Sequence, residues 1–263
     1  MLLGPVAMPD LDHASEVVMS GSSAGGAGVR MNIDWLAELF APNGTTVRGL
    51  LDATTQVDDS NPVLLWDQTS SCLSRGVCSY DDLLDDMYEV QADFRDGFMD
   101  QSCLTTALDV RRCADLHYVG KNHVTTPFFV REDQLDSLHY DLFLGTGYQY
   151  DGPLLPSGSP PLMMNVDNTA VRLTYGELVK TDMQAFESIL TTAVEAGSMT
   201  VAPGVFNPHL CVHEALASDL DAFRPVPDGN GNQYGMEYYW NNWVNHSTVD
   251  PITFYAPIEA MCP

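Results

Sequence analysis

The chain has 263 residues, of which 45% are hydrophobic and 18% charged, enough apolar material for one α/β domain with a sizeable core. Its 11 lysine and arginine residues are outnumbered by 36 aspartate and glutamate residues, which gives a formal net charge of −25. Nucleic acids and anionic membrane surfaces are therefore not expected as partners, because both require a basic patch. The sequence contains no run of about 18 apolar residues, so no membrane span is predicted.

The first predicted elements are a strand, a serine-containing turn and a helix. An apolar run at 17–19 precedes residues 21–28, Gly-Ser-Ser-Ala-Gly-Gly-Ala-Gly, which contain G-x-S-x-G with Ser23 at the centre. Residues 29–40 then carry apolar side chains at helical spacing. A strand that turns sharply into a helix can hold such a serine in a strained, exposed geometry, and only small neighbours fit around the turn. The alternative is a Gly/Ser-rich loop without chemistry, since the motif alone is common by chance.

The later elements predict an α/β fold. A buried strand at 46–51 completes a β-α-β unit and hence a parallel sheet. Further elements are predicted along the chain: a strand at 124–130, a surface excursion at 145–168, an amphipathic helix at 177–196 capped by Gly197, a strand at 199–202, and an aromatic segment from Tyr234 that favours core packing over a sugar platform. We expect a mostly parallel sheet with helices on both faces.

Cysteine usage indicates an exported, disulfide-bonded protein. There are six cysteines, and their connectivity stays open because six allow 15 pairings, although Cys72 and Cys78 could close a short loop. Four of them lie within 62–113, which we interpret as an inserted, disulfide-pinned region of a single domain over 1–263. The sequence contains no C-x-x-C pair, so a zinc site is not expected. Glycosylation sequons at Asn43 and Asn245 add weak support for export.

Only 22 residues precede Ser23. They show no signal peptide, because they lack a basic start and a long apolar core. In α/β-hydrolases several strands precede the nucleophile turn, and an early strand-to-helix loop supplies one oxyanion donor. We therefore expect an N-terminally shortened or diverged α/β-hydrolase-like chain that lacks the N-terminal strands.

A serine nucleophile needs a histidine base and a carboxylate that orients it, in the chain order Ser, Asp or Glu, His. Asp133 and Asp136 follow the strand predicted to end near residue 130, and His209 and His213 follow the strand predicted at 199–202. Three other histidines are expected to be surface or packing residues: His117, His123 and His139.

Several segments resemble the pectin acetylesterase/Notum family of α/β-hydrolases. Residues 18–28 with the following Asn32-Ile33-Asp34 look like its nucleophile block, closest to the Notum branch, and residues 47–52 resemble the next strand. The approach to the family's acid is matched by Cys113, Tyr118-Val119 and the Thr-Pro-Phe-Phe sequence of 126–129. The likeness runs from residue 15 to about residue 220.

The resemblance also selects among the candidate site residues. Leu135-Asp136-Ser137 occupies the family's Tyr-Asp-Ser-Trp-Gln position, which implies Asp136 as the acid with Asp133 in reserve. The family's base follows a cysteine in a C-x-x-H-E context, and Cys211-Val-His213-Glu is one residue tighter, which implies His213 with His209 in reserve. Two features depart from the family: its Gly-Trp segment with oxyanion donors is absent, and Leu138-His139 replaces Trp-Gln.

The resemblance implies a carboxylic-ester hydrolase, secreted or associated with the cell wall, that removes O-acyl groups, chiefly O-acetyl from a polysaccharide. Ser23 would be the nucleophile, the backbone N–H of Ala24 an oxyanion donor, and no metal or organic cofactor is required. A lipid-type O-deacylase acting on a protein-linked acyl group stays open. So do a catalytically inactive binding protein on the same scaffold and a serine peptidase.

Overall fold

The computed structural model describes residues 13–54, 58, 60, 72, 76–93, 99–136, 169–210, 216, 225–227, 230–245 and 251–256. Within them, a five-stranded parallel sheet has the order β1-β2-β3-β4-β7: β1 (Glu16–Ser22), β2 (Thr46–Asp52), β3 (Phe128–Arg131), β4 (Gly204–Asn207) and β7 (Ile252–Tyr255). A separate antiparallel pair is formed by β5 (Val226–Pro227) and β6 (Gln233–Tyr234). The expected parallel sheet is confirmed, and because its strands run in one direction, their carboxyl ends share one edge.

Helices cover both faces of this sheet. They are α1 (Ala24–Phe40), α2 (Tyr80–Asp93), α3 (Gln101–Thr106), α4 (Leu116–Asn122), α5 (Thr169–Glu195) and α6 (Met236–Asn245). Side chains alternate along β3, so that Phe128 and Val130 join a core with α1 and α5. Phe129 points to the opposite face and packs with Trp243 of α6 in a second core. The result is a three-layer α/β/α arrangement.

The predicted β-α-β unit is confirmed at β1, α1 and β2. Helix α1 ends in a 3-10 turn, Ala41–Asn43, and Gly44 follows at φ 72°, a conformation that favours glycine. In the middle of α1, the Asp34 carboxylate accepts hydrogen bonds from the backbone N–H groups of Thr125 (2.9 Å) and Thr126 (2.8 Å). The Asn-x-Asp sequence after the serine turn therefore fastens α1 to the loop that leads into β3.

Three predicted elements differ from the observed ones. The strand predicted at 124–130 begins only at Phe128, because Pro127 has no N–H with which to pair. The strand predicted at 199–202 is wrong: those residues form turns, and the strand is β4, which follows Pro203. Helix α5 begins at Thr169 rather than near 177 and ends at Glu195, one residue before the predicted end, with Gly197 just beyond it at φ 76°.

The cysteine-containing region carries two disulfides among the described residues, Cys72–Cys78 and Cys103–Cys113. Helix α2 follows Cys78 and carries Asp81 and Asp82 in its first turn. Cys211, Cys262, the excursion at 145–168 and residues 94–98 lie outside the described residues, and the assignment of 62–113 as an insertion stays a prediction. None of the helices in the described ranges has the length and apolar character needed to cross a bilayer.

Candidate active site

Ser23 occupies a strained turn between β1 and α1. Its backbone angles are φ 51° and ψ −124°, and its N–H donates a 2.8 Å hydrogen bond to the backbone oxygen of Asp52 at the end of β2. A non-glycine residue in such a conformation costs on the order of 1–3 kcal/mol, and it persists only where its surroundings impose it. This is the strand-to-helix turn that the G-x-S-x-G motif predicts.

Two of the glycines around Ser23 lie where the backbone approaches too closely for a side chain. A Cβ on Gly21 would lie 2.7 Å from the nitrogen of Gly26 and closer still to the carbonyl of Gly25. A Cβ on Gly26 would lie 2.8 Å from the oxygen of Gly21 and closer still to a methyl group of Thr54. A Cβ on Gly28, by contrast, would have no neighbour within 4 Å. The sharpness of the turn therefore explains Gly21 and Gly26, but not every glycine of the motif.

The start of α1 is open to solvent beside this serine. Ser23 is partly exposed and Ala24 and Gly25 are exposed. The Ser23 side chain does not cap the helix, and the first turn of α1 contains no acidic residue. No side chain of this first turn therefore offsets the partial positive charge of the helix N-terminus, and N–H groups at this position can receive developing negative charge.

A buried polar cluster lies at the carboxyl end of β3. Arg131, Glu132, Asp133, Gln134 and Asp136 are each at most 1% exposed. The Arg131 guanidinium pairs with the carboxylate of Asp133 at 2.5 Å. It also contacts Asp52 at the end of β2, with a distance of 2.7 Å between Nη1 and Oδ1. Burial lowers the pKa of Arg131, but the carboxylates of Asp133 and Asp52 outweigh it and raise the pKa above its ordinary value.

The two candidate acids have different surroundings in this cluster. The Asp133 carboxylate is engaged by Arg131, whereas Asp136 lies one turn further on, with its N–H directed at the oxygen of Asp133 (3.3 Å). Asp133 is the weaker candidate for orienting a histidine, because its carboxylate is already paired with the Arg131 guanidinium.

The segment that carries the candidate bases runs beside this cluster. The N–H of Gln134 donates to the oxygen of Pro208 (2.9 Å), and that of Leu135 donates to the oxygen of Leu210 (3.2 Å). His209 lies between these two anchors and is partly buried. His213 lies outside the described residues. The next described residue is Leu216, and its N–H donates a 2.8 Å hydrogen bond to the Asp52 carboxylate.

Two other histidines belong to packing away from this edge, as expected. His117 is buried beside Phe186, with ring centroids 6.0 Å apart. His123 packs on Tyr118 and contacts Ser102. His139 lies outside the described residues, and within the described ranges no group of three His, Cys, Asp or Glu side chains could hold a metal ion.

Sequence reasoning missed Asp52 and Arg131 as site residues. Each is a charged residue at the carboxyl end of a core strand, and that position is the signal that could have found them. Their carboxylate and guanidinium join the ends of β2 and β3 directly beneath the serine turn.

The sheet, its helices on both faces and the serine turn define an α/β-hydrolase-like protein. A family model described as pectinacetylesterase matches residues 5–262, so the chain belongs to the pectinacetylesterase family. A comparison with curated proteins gives no match. Among solved structures, the chain is similar to the Wnt deacylase Notum from Drosophila, with 17% sequence identity and a TM-score of 0.54. The similarity covers 94% of this chain and 60% of that one, so the chain spans less than two thirds of its length.

Proposed function

We propose that this chain is a serine carboxylic-ester hydrolase that removes O-acyl groups. The observation that carries the proposal is Ser23, held at φ 51° between β1 and α1 beside an exposed helix N-terminus. Membership of the pectinacetylesterase family supports ester deacylation as the reaction class. A structural role alone does not require a strained serine at the carboxyl edge of a parallel sheet, whereas acyl transfer does.

In the proposed mechanism, the Ser23 hydroxyl attacks the acyl carbonyl and His213 accepts its proton. The negative charge on the carbonyl oxygen is received by the N–H of Ala24. Collapse of the tetrahedral intermediate breaks the ester C–O bond, and His213 returns the proton to the departing alcohol. Water, activated by the same imidazole, then attacks the acyl-serine, which releases the carboxylic acid and regenerates Ser23.

Asp136 is the proposed partner of His213. The carboxylate of Asp133 is held by Arg131, and the resemblance to the family's acid segment favours Asp136 on the same loop. Leu210 and Leu216, the described residues on either side of His213, are anchored to Leu135 and Asp52 respectively, and each is three residues from it. Three residues span at most about 10 Å, so the chain length between these anchors and His213 is compatible with the assignment.

We propose an O-acetylated polysaccharide as the substrate. The net charge of −25 favours a neutral glycan over a polyanionic one, because like charges oppose association. The similarity to a Wnt deacylase keeps a longer acyl group linked to a protein as the second candidate. Comparing rates on acetylated xylan, acetylated pectin and acyl esters of increasing chain length separates these substrates.

The test is hydrolysis of a chromogenic acetyl ester by the chain and four variants. Ser23→Ala should lower kcat by at least about 10⁴-fold, as loss of a nucleophile does in serine hydrolases, whereas Ser20→Ala, an exposed serine of the same strand, should not. His213→Ala should be similarly severe and His209→Ala mild. The reverse result for the two histidines would move the base to His209.

Two outcomes would favour a different function for the chain. Turnover of amide substrates at rates comparable to those of esters would favour a peptidase. A folded chain without any turnover of esters or amides would favour a catalytically inactive binding protein on the same scaffold.

A further inference from the structure

The Asp52 carboxylate joins four parts of the chain at one buried point. Its side chain is fully buried at the end of β2. Oδ2 accepts hydrogen bonds from the hydroxyl of Ser22 and from the N–H of Leu216, both at 2.8 Å. Oδ1 accepts from Nη1 of Arg131 at 2.7 Å. The backbone oxygen of the same residue accepts from the N–H of Ser23.

We infer that Asp52 is a positioning residue that sets the distance between the serine turn and the segment carrying the base. The inference rests on the proposed function. Ser22 precedes the nucleophile directly, and Leu216 is three residues beyond His213 in the sequence, so one carboxylate bonds to a near neighbour of each member of the proposed pair. Arg131 neutralises the buried charge and ties the same point to the loop that carries Asp136.

A carboxylate accepts from all of these donors. It has two acceptor oxygens and no hydrogen to donate, which matches a guanidinium on one side and two donors on the other. An asparagine offers one oxygen and one NH₂ group. Whichever way its amide is turned, the NH₂ group faces either Arg131 or the hydroxyl and N–H that Oδ2 now accepts from. At least one anchor is therefore lost in Asp52→Asn.

The existing partners also separate this role from that of a histidine-orienting acid. The observed partners of Asp52 are Arg131, Ser22 and Leu216, and we assign the carboxylate an action on the site through these neighbours rather than on the imidazole. A positioning role lowers the rate by misplacing the base. A substitution that only misplaces the base leaves the pKa of the imidazole, and therefore the acid limb of kcat/KM, unchanged. Loss of the imidazole's own carboxylate partner lowers that pKa and moves the acid limb to lower pH.

The experiment compares Asp52→Asn with Asp100→Asn, which also changes a buried carboxylate. Asp100 caps α3 through the N–H of Cys103 (2.9 Å) and is not bonded to the sheet edge. The rate constant for fluorophosphonate labelling of Ser23 and the pH profile of kcat/KM are measured for the whole chain and each variant. Asp52→Asn should lower the labelling rate constant and kcat by roughly 10–100-fold, the effect expected from a displacement of about 1 Å, with KM changed less than about threefold. Asp100→Asn should leave both within about threefold.

Two results would overturn the inference while wild-type labelling at Ser23 keeps the proposed function intact. One is a folded Asp52→Asn variant that is labelled at the wild-type rate. The other is a downward shift of the acid limb, which would make Asp52 the carboxylate that acts on the imidazole. If Asp52→Asn does not fold, Ser22→Ala removes a single anchor, and it should lower the labelling rate constant several-fold; an unchanged rate would equally contradict the inference. Absence of labelling in the wild-type chain would instead count against the proposed function itself.

Discussion

Replacing Gly21 by alanine should disrupt the turn that holds Ser23. The new Cβ would lie 2.7 Å from the nitrogen of Gly26 and closer to the carbonyl of Gly25, both below the 3.0 Å that real Cβ contacts keep. All of these atoms are backbone, so no side chain can rotate away and β1 must separate from the start of α1. Overpacking typically costs about 1–3 kcal/mol, and we expect the upper end of that range, which is about a 100-fold change in the folding equilibrium. Urea-induced unfolding of Gly21→Ala and of the wild-type chain measures it.

Gly28→Ala is the matched control, because it makes the same change at the start of the second turn of α1. Its Cβ would meet nothing within 4 Å. Alanine in a helix interior is favoured over glycine by about 0.5–1 kcal/mol, so this variant should be slightly more stable than the wild-type chain. Close backbone packing at Gly21 would be contradicted if Gly21→Ala unfolded at the wild-type urea concentration, or if both substitutions destabilised the chain equally.

Two further predictions concern stability away from the site. Burial raises the pKa of Asp58, but hydrogen bonds from Lys121 and Ser60 outweigh it and lower the pKa to about 2. Because the folded pKa lies below the unfolded value of about 3.9, this group stabilises the fold above that pH and loses its effect as pH falls toward 2, and Asp58→Asn should cost about 1 kcal/mol at pH 7. Trp243→Phe should cost about 2–3 kcal/mol, because Trp243 is buried and its ring N–H donates to the oxygen of Ala202 at 2.8 Å.

Both are checked by unfolding free energies against matched variants. For Asp58→Asn, the difference from the wild-type chain should narrow between pH 4 and pH 2, and a difference that stayed constant over this range would contradict the ion-pair explanation. For Trp243→Phe, the control is Trp240→Phe on the same helix, where the side chain is only partly buried. A larger loss at Trp240 than at Trp243 would contradict the assignment of the buried core.

The parts of the fold that sequence predicts are those whose signals are local. The apolar run of β1, the small residues around Ser23 and the helical spacing of α1 adjoin one another, so their pattern specifies the turn without reference to the rest of the chain. Strand β4 gives no such signal. It starts at Gly204, where a Cβ would overlap the Phe129 ring, so its conformation depends on a partner far away in sequence.

The same distinction applies to the candidate site. Chain order and family resemblance predicted the nucleophile turn and the acidic loop, but the catalytic roles of Ser23, Asp136 and His213 stay predictions. The contact between Asp52 and Arg131 joins residues 79 positions apart, and no pattern within a short window reveals it. Buried charges at strand ends become informative only when the order of strands in the sheet is known.

If Ser23 is an activated nucleophile, it reacts covalently with a fluorophosphonate in the folded chain. The whole chain is incubated with a fluorophosphonate, digested, and the modified residue is located by tandem mass spectrometry. We expect one phosphonylated residue, Ser23, and no labelling after the chain is unfolded in urea. Labelling at another serine, or equal labelling of the folded and unfolded chains, would contradict it.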